Sequence, residues 1–255
     1  MTKKTYHCLA SVLAFILLSL TACHDNPNTM EERENIGTST RIEGDSTLYG
    51  LACDGCTDSV LIFLPGQGGD PVTFDIIKAM KNRRVIGKPT VGSWTAVLVN
   101  PMDSTVADLV INLDELKGTW VNMVMPERRN QSVADSIGRA DASTQMRARM
   151  DSVIQLHMKP VEMGFALKRH YKAETVGLRE IFRTNNDPES PIMYPTPKRY
   201  SEWHIFNGKL VLTNSPDTIH DQSAKAKNDT AEFILLTPDT LVLRFANGKK
   251  GYRRK

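Results

Sequence analysis

Two cysteines three residues apart, Cys53-Asp54-Gly55-Cys56, are the side chains whose type and spacing suit chemistry best. Such a pair can close a local disulfide, hold a soft metal or cycle between redox states. A closed zinc site wants four sulfur or nitrogen ligands, and no second pair and no paired histidines follow. Redox pairs usually sit at a helix N-terminus, which lowers the thiol pKa; this one lies between two strand patterns. Other chemistry is scarce. The chain has no Gly-x-Ser-x-Gly elbow, no His-Glu-x-x-His and no Walker loop. Gly66-Gln67-Gly68-Gly69-Asp70-Pro71 lacks the Lys-Ser/Thr and the following helix of a phosphate cradle. His170, His204 and His220 have no metal-ligand spacing and read as surface or satisfied polar groups. Lys81-Asn82-Arg83-Arg84 reads as a polar hairpin end, with an anionic-ligand patch as the alternative. The expectation is a protein that is not an enzyme, with no cofactor and no bound metal.

The start of the chain sets where this chemistry would operate. Lys3 and Lys4 precede an apolar stretch, 9–20, that is too short for a membrane span. Residues 1–22 therefore read as a secretion signal. Its end, Leu20-Thr21-Ala22-Cys23, resembles the bacterial lipobox. That resemblance implies that Cys23 carries fatty acyl chains such as palmitate and begins the mature protein. The implied location is the cell envelope, as an outer-membrane lipoprotein on its periplasmic or its surface face. Residues 23–40 are polar, with Pro27 and a Glu31-Glu32-x-Glu34 cluster, and read as a flexible tether. The formal net charge is +3, two units of it from Lys3 and Lys4, so no basic footprint for nucleic acid is expected. In an oxidising compartment the plain reading of Cys53 and Cys56 is a disulfide, with a soft-metal or redox site as the alternative.

Residues 41–113 show six short strand patterns, at 46–52, 59–64, 72–78, 83–87, 93–100 and 107–113. Strand-turn-strand over about 70 residues predicts a small closed barrel of OB or SH3-like kind. The run Leu48-Tyr49-Gly50-Leu51-Ala52-Cys53-Asp54-Gly55-Cys56 resembles the start of bacterial copper-homeostasis and envelope-stress lipoproteins. In that family the motif begins a lipocalin-like barrel, and a second CxxC-bearing domain follows; this chain has no second pair. The resemblance implies a disulfide and, as an alternative function, stress or metal sensing.

Residues 114–255 show eight strand patterns, at 118–125, 162–168, 174–182, 200–206, 210–213, 232–236, 241–246 and 251–254. Asn207-Gly208 and Asn247-Gly248 are strong two-residue hairpin signals. Eight strands joined by tight turns predict an up-and-down barrel. Alternation places Leu241, Leu243 and Phe245 on one face, and Trp203 and Ile205 on one face of another strand. Gly118-Thr119-Trp120 resembles the Gly-x-Trp signature that opens lipocalins and other calycins. Together with Met163-Gly164-Phe165-Ala166-Leu167, Trp203 before the Asn-Gly turn, and the run ending Leu241-Val242-Leu243, the module resembles the lipocalin-like domains of Bacteroidota lipoproteins. This implies Trp120 as barrel floor, capped by Arg244 or Arg254. It also implies a ligand cavity, for which Phe165, Leu167, Trp203, Ile205, Leu243 and Phe245 are the candidate lining.

A helical insertion, 126–160, interrupts the barrel, with the helix expected over 141–158. Met146, Met150, Val153 and His157 recur at helical spacing, so the helix is read as closing a barrel mouth or as a Met-rich lid. Asp followed by Ser or Thr and a small or aliphatic residue recurs from Asp45 to Asp239. The pattern resembles the O-glycosylation sequon of Bacteroidota, although the dipeptide also favours turns. The expected function is binding of a small apolar or amphipathic molecule at a membrane-anchored barrel. The alternatives are a structural or interaction subunit of an envelope assembly and sensing through the cysteine pair.

Overall fold

A computed structural model describes residues 42–129, 143–215 and 227–255. The secretion signal, Cys23, the tether, Asp135, Asp217 and His220 lie outside the described residues. Ile42–Lys255 form one compact unit.

Alternating apolar residues build the first sheet. Its elements are β1 (Thr47–Ala52), β2 (Val60–Pro65), β3 (Val72–Asp75), α1 (Ile77–Lys81), β4 (Val85–Ile86), β5 (Trp94–Asn100) and β6 (Asp103–Asn112). The strand order is β3-β2-β1-β5-β6, and a parallel pairing of Asp75 with Val106 returns β6 to β3. This closes a five-stranded barrel of OB type, with β4 added beside β6. Leu61, Phe63, Phe74, Val97 and Val110 fill it. The strand expected over 72–78 stops at Asp75, whose carboxylate accepts from Ile77 N–H at 2.7 Å and turns the chain into α1. Tyr49 and Gly50 thus open the five-stranded barrel and not the eight-stranded one, so the likeness to the copper-homeostasis lipoproteins ends at the motif.

The second part comprises α2 (Leu113–Leu116), β7 (Gly118–Val124), β8 (Glu127–Arg128), α3 (Thr144–His157), β9 (Val161–Leu167), β10 (Ala173–Val176), α4 (Leu178–Asn185), β11 (Ile192–Met193), β12 (Tyr200–Phe206), β13 (Lys209–Asn214), β14 (Lys227–Leu236), β15 (Thr240–Phe245) and β16 (Gly248–Arg254). Eight of these strands follow the order β10-β9-β7-β16-β15-β14-β13-β12, every neighbour antiparallel. It is an up-and-down barrel, joined first strand to last by β7 and β16. The seam lies between β10 and β12. There the ladder shrinks to one bridge, Lys172 with Glu202. Side chains stitch the rest: Thr175 Oγ1 donates to Lys198 O at 2.7 Å and accepts from Tyr200 N–H at 2.8 Å. β8 and β11 form a separate two-stranded ribbon.

The strand expected over 174–182 is half strand and half helix. β10 ends at Val176 because Gly177 takes φ +92°, which side-chain-bearing residues avoid, and starts α4. Leu178, Ile181 and Phe182 then recur at helical spacing, with Ile181 fully buried. The Asn207-Gly208 turn has φ +48° and +74°, the two positive values a tight hairpin needs.

One apolar core crosses both barrels. Ile86, Ala96, Leu109 and Ile111 from the outside of the first, and Leu113 and Leu116 from α2, join Trp120, Phe165, Ile205 and Leu243 of the second. Hydrogen bonds clamp the β12–β13 hairpin against this joint. Asn207 N–H donates to Asp45 Oδ1 at 2.9 Å, Gly208 N–H to Thr47 Oγ1 at 3.3 Å and Tyr49 O–H to the Ile205 carbonyl at 2.8 Å. A buried Leu or Ile contributes roughly 2 kcal/mol and a neutral hydrogen bond about 1 kcal/mol. Apolar burial therefore dominates the joint, and the hydrogen bonds fix its register.

Candidate functional site

The floor of the eight-stranded barrel is built first by α2. Asn112 Oδ1 accepts from Asp114 and Glu115 N–H, both at 3.0 Å, which caps this single turn. The turn aims the Leu116 carbonyl at Trp120, whose indole N–H donates to it at 2.8 Å. Trp120 is completely buried. Arg254 lies over its ring, 4.2 Å from the centroid, and donates to the carbonyls of Lys117, Glu115 and Pro238. Arg244 is not at the floor. It alternates with the inward Leu243 and Phe245, so it points outward, where it pairs with Glu232 at 3.9 Å.

The six residues considered as cavity lining do point inward, and they fill the interior. Phe165, Leu167, Trp203, Ile205 and Leu243 are buried in the shared core, and Phe245 packs against it. Phe165 meets Tyr200 and Tyr252 edge-on at 6.1 and 5.0 Å between ring centroids. Trp203 meets Tyr171 at 5.5 Å and donates its indole N–H to Lys168 O at 3.0 Å. None of the six lines any of the three clefts considered below.

The largest of these clefts lies beside the end of the β7–β9 pair where Met123 faces Glu162 and Val124 faces Val161. Ile154 of α3, Ile181 of α4, Ile192 and Tyr194 form a small core of their own, against which Val161 and Met163 of β9 pack. Arg129 ties the insertion to α4 by donating to the Asn185 carbonyl at 2.9 Å, at the negative end of that helix. Asn185 in turn holds Tyr194 by bonds to its N–H at 2.8 Å and its carbonyl at 2.9 Å. Between α4, the end of α3 and the start of β9 runs an open groove of about 1140 Å³. Met123, Leu156, Val161 and Val176 supply apolar surface, and Lys159, Glu162, Glu180, Arg183, Asp187, Glu189 and Lys255 its charges. Glu162 accepts from Lys255 Nζ at 2.7 Å and also pairs with Arg253. The Lys255 hydrogen bond is the main reason its carboxyl is held below the usual range. A smaller cleft of about 560 Å³ follows α3 past Met146, Val153 and Ile154.

Of the stripe expected to seat α3, Met146 and Val153 are turned outward, 59% and 51% exposed, while Ile154 anchors the helix and its neighbour Leu156 is 70% exposed. His157 turns back on its own helix, with Nδ1 2.8 Å from the Val153 carbonyl. The groove residues of α4 are hidden in the sequence because 174–182 reads as one strand. Gly177 followed by Leu178, Ile181 and Phe182 was the available signal.

The disulfide expected between Cys53 and Cys56 is not formed; both are free and half-buried. Cys56 Sγ is occupied by the backbone, accepting from Ile62 N–H at 3.3 Å and lying 3.1 Å from the Cys53 carbonyl. His204 is half-buried, and burial holds its pKa below the ordinary value against the pull of Asp45 and Glu202. Among the described residues no group of three or more His, Cys, Asp or Glu side chains could hold a metal ion. No helix among them is long and apolar enough to cross a membrane.

No protein-family model matches the chain, and no curated protein matches it. Among solved structures, the chain is similar to a lipocalin-like protein from Bacteroides thetaiotaomicron VPI-5482. The identity is 16%, the match covers 54% of this chain and 94% of that one, and the TM-score is 0.27.

Proposed function

We propose that the chain is a non-enzymatic cell-envelope lipoprotein that binds a small apolar or amphipathic molecule in the groove at the mouth of its eight-stranded barrel. The observation that carries this reading is the groove itself. It offers about 1140 Å³, enough for a drug-sized or lipid-like molecule. Its apolar Met123, Leu156, Val161 and Val176 suit a chain or ring, and Glu162 and Arg183 suit a polar head. The candidate lining residues of the interior are buried in or packed against the core, which favours the rim as the place of binding. Methionine suits such a role, since its flexible thioether adapts to varied shapes.

The test is titration of the purified full chain with the neutral fluorophore N-phenyl-1-naphthylamine, beside native mass spectrometry for a carried molecule. Saturable binding is expected, weakened at least tenfold by Leu156→Glu. Leu156 is mostly exposed, so the variant should keep its melting temperature. Binding that Leu156→Glu leaves unchanged removes the groove from the proposal. Anchoring is tested separately: palmitate incorporation in cells is expected, and its survival in Cys23→Ala would exclude lipidation there.

The filled barrel favours a second reading, a structural or interaction subunit that works through its surface. Absence of probe binding together with a stoichiometric protein partner retained from membranes would select it.

A further inference from the structure

Arg83 occupies a position that favours glycine. It follows α1 in the left-handed region, at φ +55°. Its N–H donates to Met80 O at 3.0 Å and that of Arg84 to Ala79 O at 2.7 Å, the paired bonds that end a helix through a left-handed residue. Glycine adopts this conformation freely and arginine does not. A non-glycine residue held there points to use of its side chain. Arg84 is steered as well, since its Nε donates to Asp108 O at 2.8 Å.

These two arginines share a cleft with the outer face of the second barrel. Lys209, Glu232, Arg244 and Lys249 stand in a row across β13 to β16. Glu232 is directly opposite Arg244, and Arg244 directly opposite Lys249. Lys209 reaches Glu232 at 3.0 Å and Arg244 reaches it at 3.9 Å. Like charges facing each other across a ladder are unfavourable, and one carboxylate serves several cations. Glu232 titrates below the usual carboxylate range, chiefly through its hydrogen bond to Lys209 and further through Arg244 and Arg84. The cleft measures about 390 Å³, with Arg83, Arg84, Lys209 and Arg244 on its walls and Glu232 as its single carboxylate. Four cations against one carboxylate leave the lining of this cleft with a formal excess of positive charge.

We propose that this cleft between the two barrels binds a phosphate-type anion, gripped by Arg83 and Arg84 from one side and by Lys209 and Arg244 from the other. Guanidinium forks match the paired oxygens of a phosphate and lose little on desolvation. Concave walls lined by one sign of charge focus the field on such a group. The volume suits a phosphorylated small molecule or a lipid headgroup. The site has no lining residue in common with the groove at the barrel mouth.

The experiment is calorimetric titration of the full chain with inorganic pyrophosphate at low salt. One saturable site is expected, weakened at least tenfold by Arg244→Ala and by Arg83→Gly. Arg83→Gly removes the charge while suiting the backbone, so its melting temperature should hold or rise, and a loss of binding is then not a loss of fold. Arg179→Gln, an exposed cation on α4 outside the cleft, should bind as the parent does. A second arm uses phosphatidylglycerol vesicles in a phosphatidylcholine background. Vesicle binding that pyrophosphate competes away assigns the anion to a headgroup; pyrophosphate binding without vesicle binding assigns it to a soluble phosphate. No binding in either arm, or equal binding by all three variants and the parent, overturns the proposal.

Discussion

At the residue scale, Arg254 is the side chain whose loss should be felt most. It covers the Trp120 ring and serves three carbonyls. A hydrogen bond to a charged group is worth about 1.5–3 kcal/mol, and a cation over a ring about 1 kcal/mol. Arg254→Ala should therefore lower the unfolding free energy by about 3 kcal/mol, and Arg244→Ala by no more than about 0.5 kcal/mol. Urea denaturation of the two variants distinguishes them, and equal costs would contradict the floor assignment. The sequence pointed to Trp120 through Gly-x-Trp but left both arginines open, because both lie in the last strands. Register decides: Arg254 is paired with Trp120 itself. Tyr252 gives a pH signature. Burial, aided by Asp229, pushes its hydroxyl up to about 12. Below pH 10 folded and unfolded chains both hold the proton, so stability is flat. Between about pH 10 and 12 the unfolded chain binds fewer protons than the folded one, and stability falls. Tyr49 and Tyr200 are raised too, each mainly by burial, and act in the same direction. The urea midpoint should drop across that window, and less steeply in Tyr252→Phe.

At the scale of elements, the hairpin of β12 and β13 is the part that couples the two barrels. Asp45 is buried and accepts from Thr47 N–H at 3.0 Å, Asn207 N–H at 2.9 Å and Tyr49 O–H at 3.1 Å. Asp45→Ala leaves the Thr47 and Asn207 N–H groups without their partner, while Tyr49 O–H keeps the Ile205 carbonyl, and should cost about 2–3 kcal/mol. A loss below about 0.5 kcal/mol in chemical denaturation would mean that water replaces the carboxylate. The eight barrel strands were legible because period-two alternation and Asn-Gly turns are local signals. α4 was not, because 174–182 mixes apolar and polar residues in a way that suits both periods until Gly177 breaks it. The outward stripe of α3 was misassigned for a different reason. Helical spacing shows that apolar residues share a face, but it does not show whether anything covers that face.

At the scale of the molecule, one apolar core joins both barrels, and a single cooperative unfolding transition is expected for residues 42–255. Scanning calorimetry with matching calorimetric and van't Hoff enthalpies would bear this out; two resolved transitions would refute it. The shared core could not be read along the chain, and of the anion cleft only the patch ending in Arg83 and Arg84 could. Arg83 and Arg244 approach one cleft only because the first barrel docks on the second. The packed interior was equally hidden, since alternation says which residues point inward and not how much space they leave.

The seam between β10 and β12 carries a consequence for self-association. Two strands with an incomplete ladder present unpaired backbone groups, the template on which a second molecule could add a strand. Charges crowd this opening: Lys168 pairs with Glu174 at 2.5 Å, Lys172 with Glu202 at 3.4 Å and Lys198 with Asp229 at 2.5 Å. Exposed pairs of this kind add little to stability, so their weight lies in keeping neighbours off. Replacing Lys172 and Glu202 with valine and threonine should leave the melting temperature nearly unchanged. It should also increase edge-to-edge association on concentration, read as heavier species than the parent's in analytical ultracentrifugation.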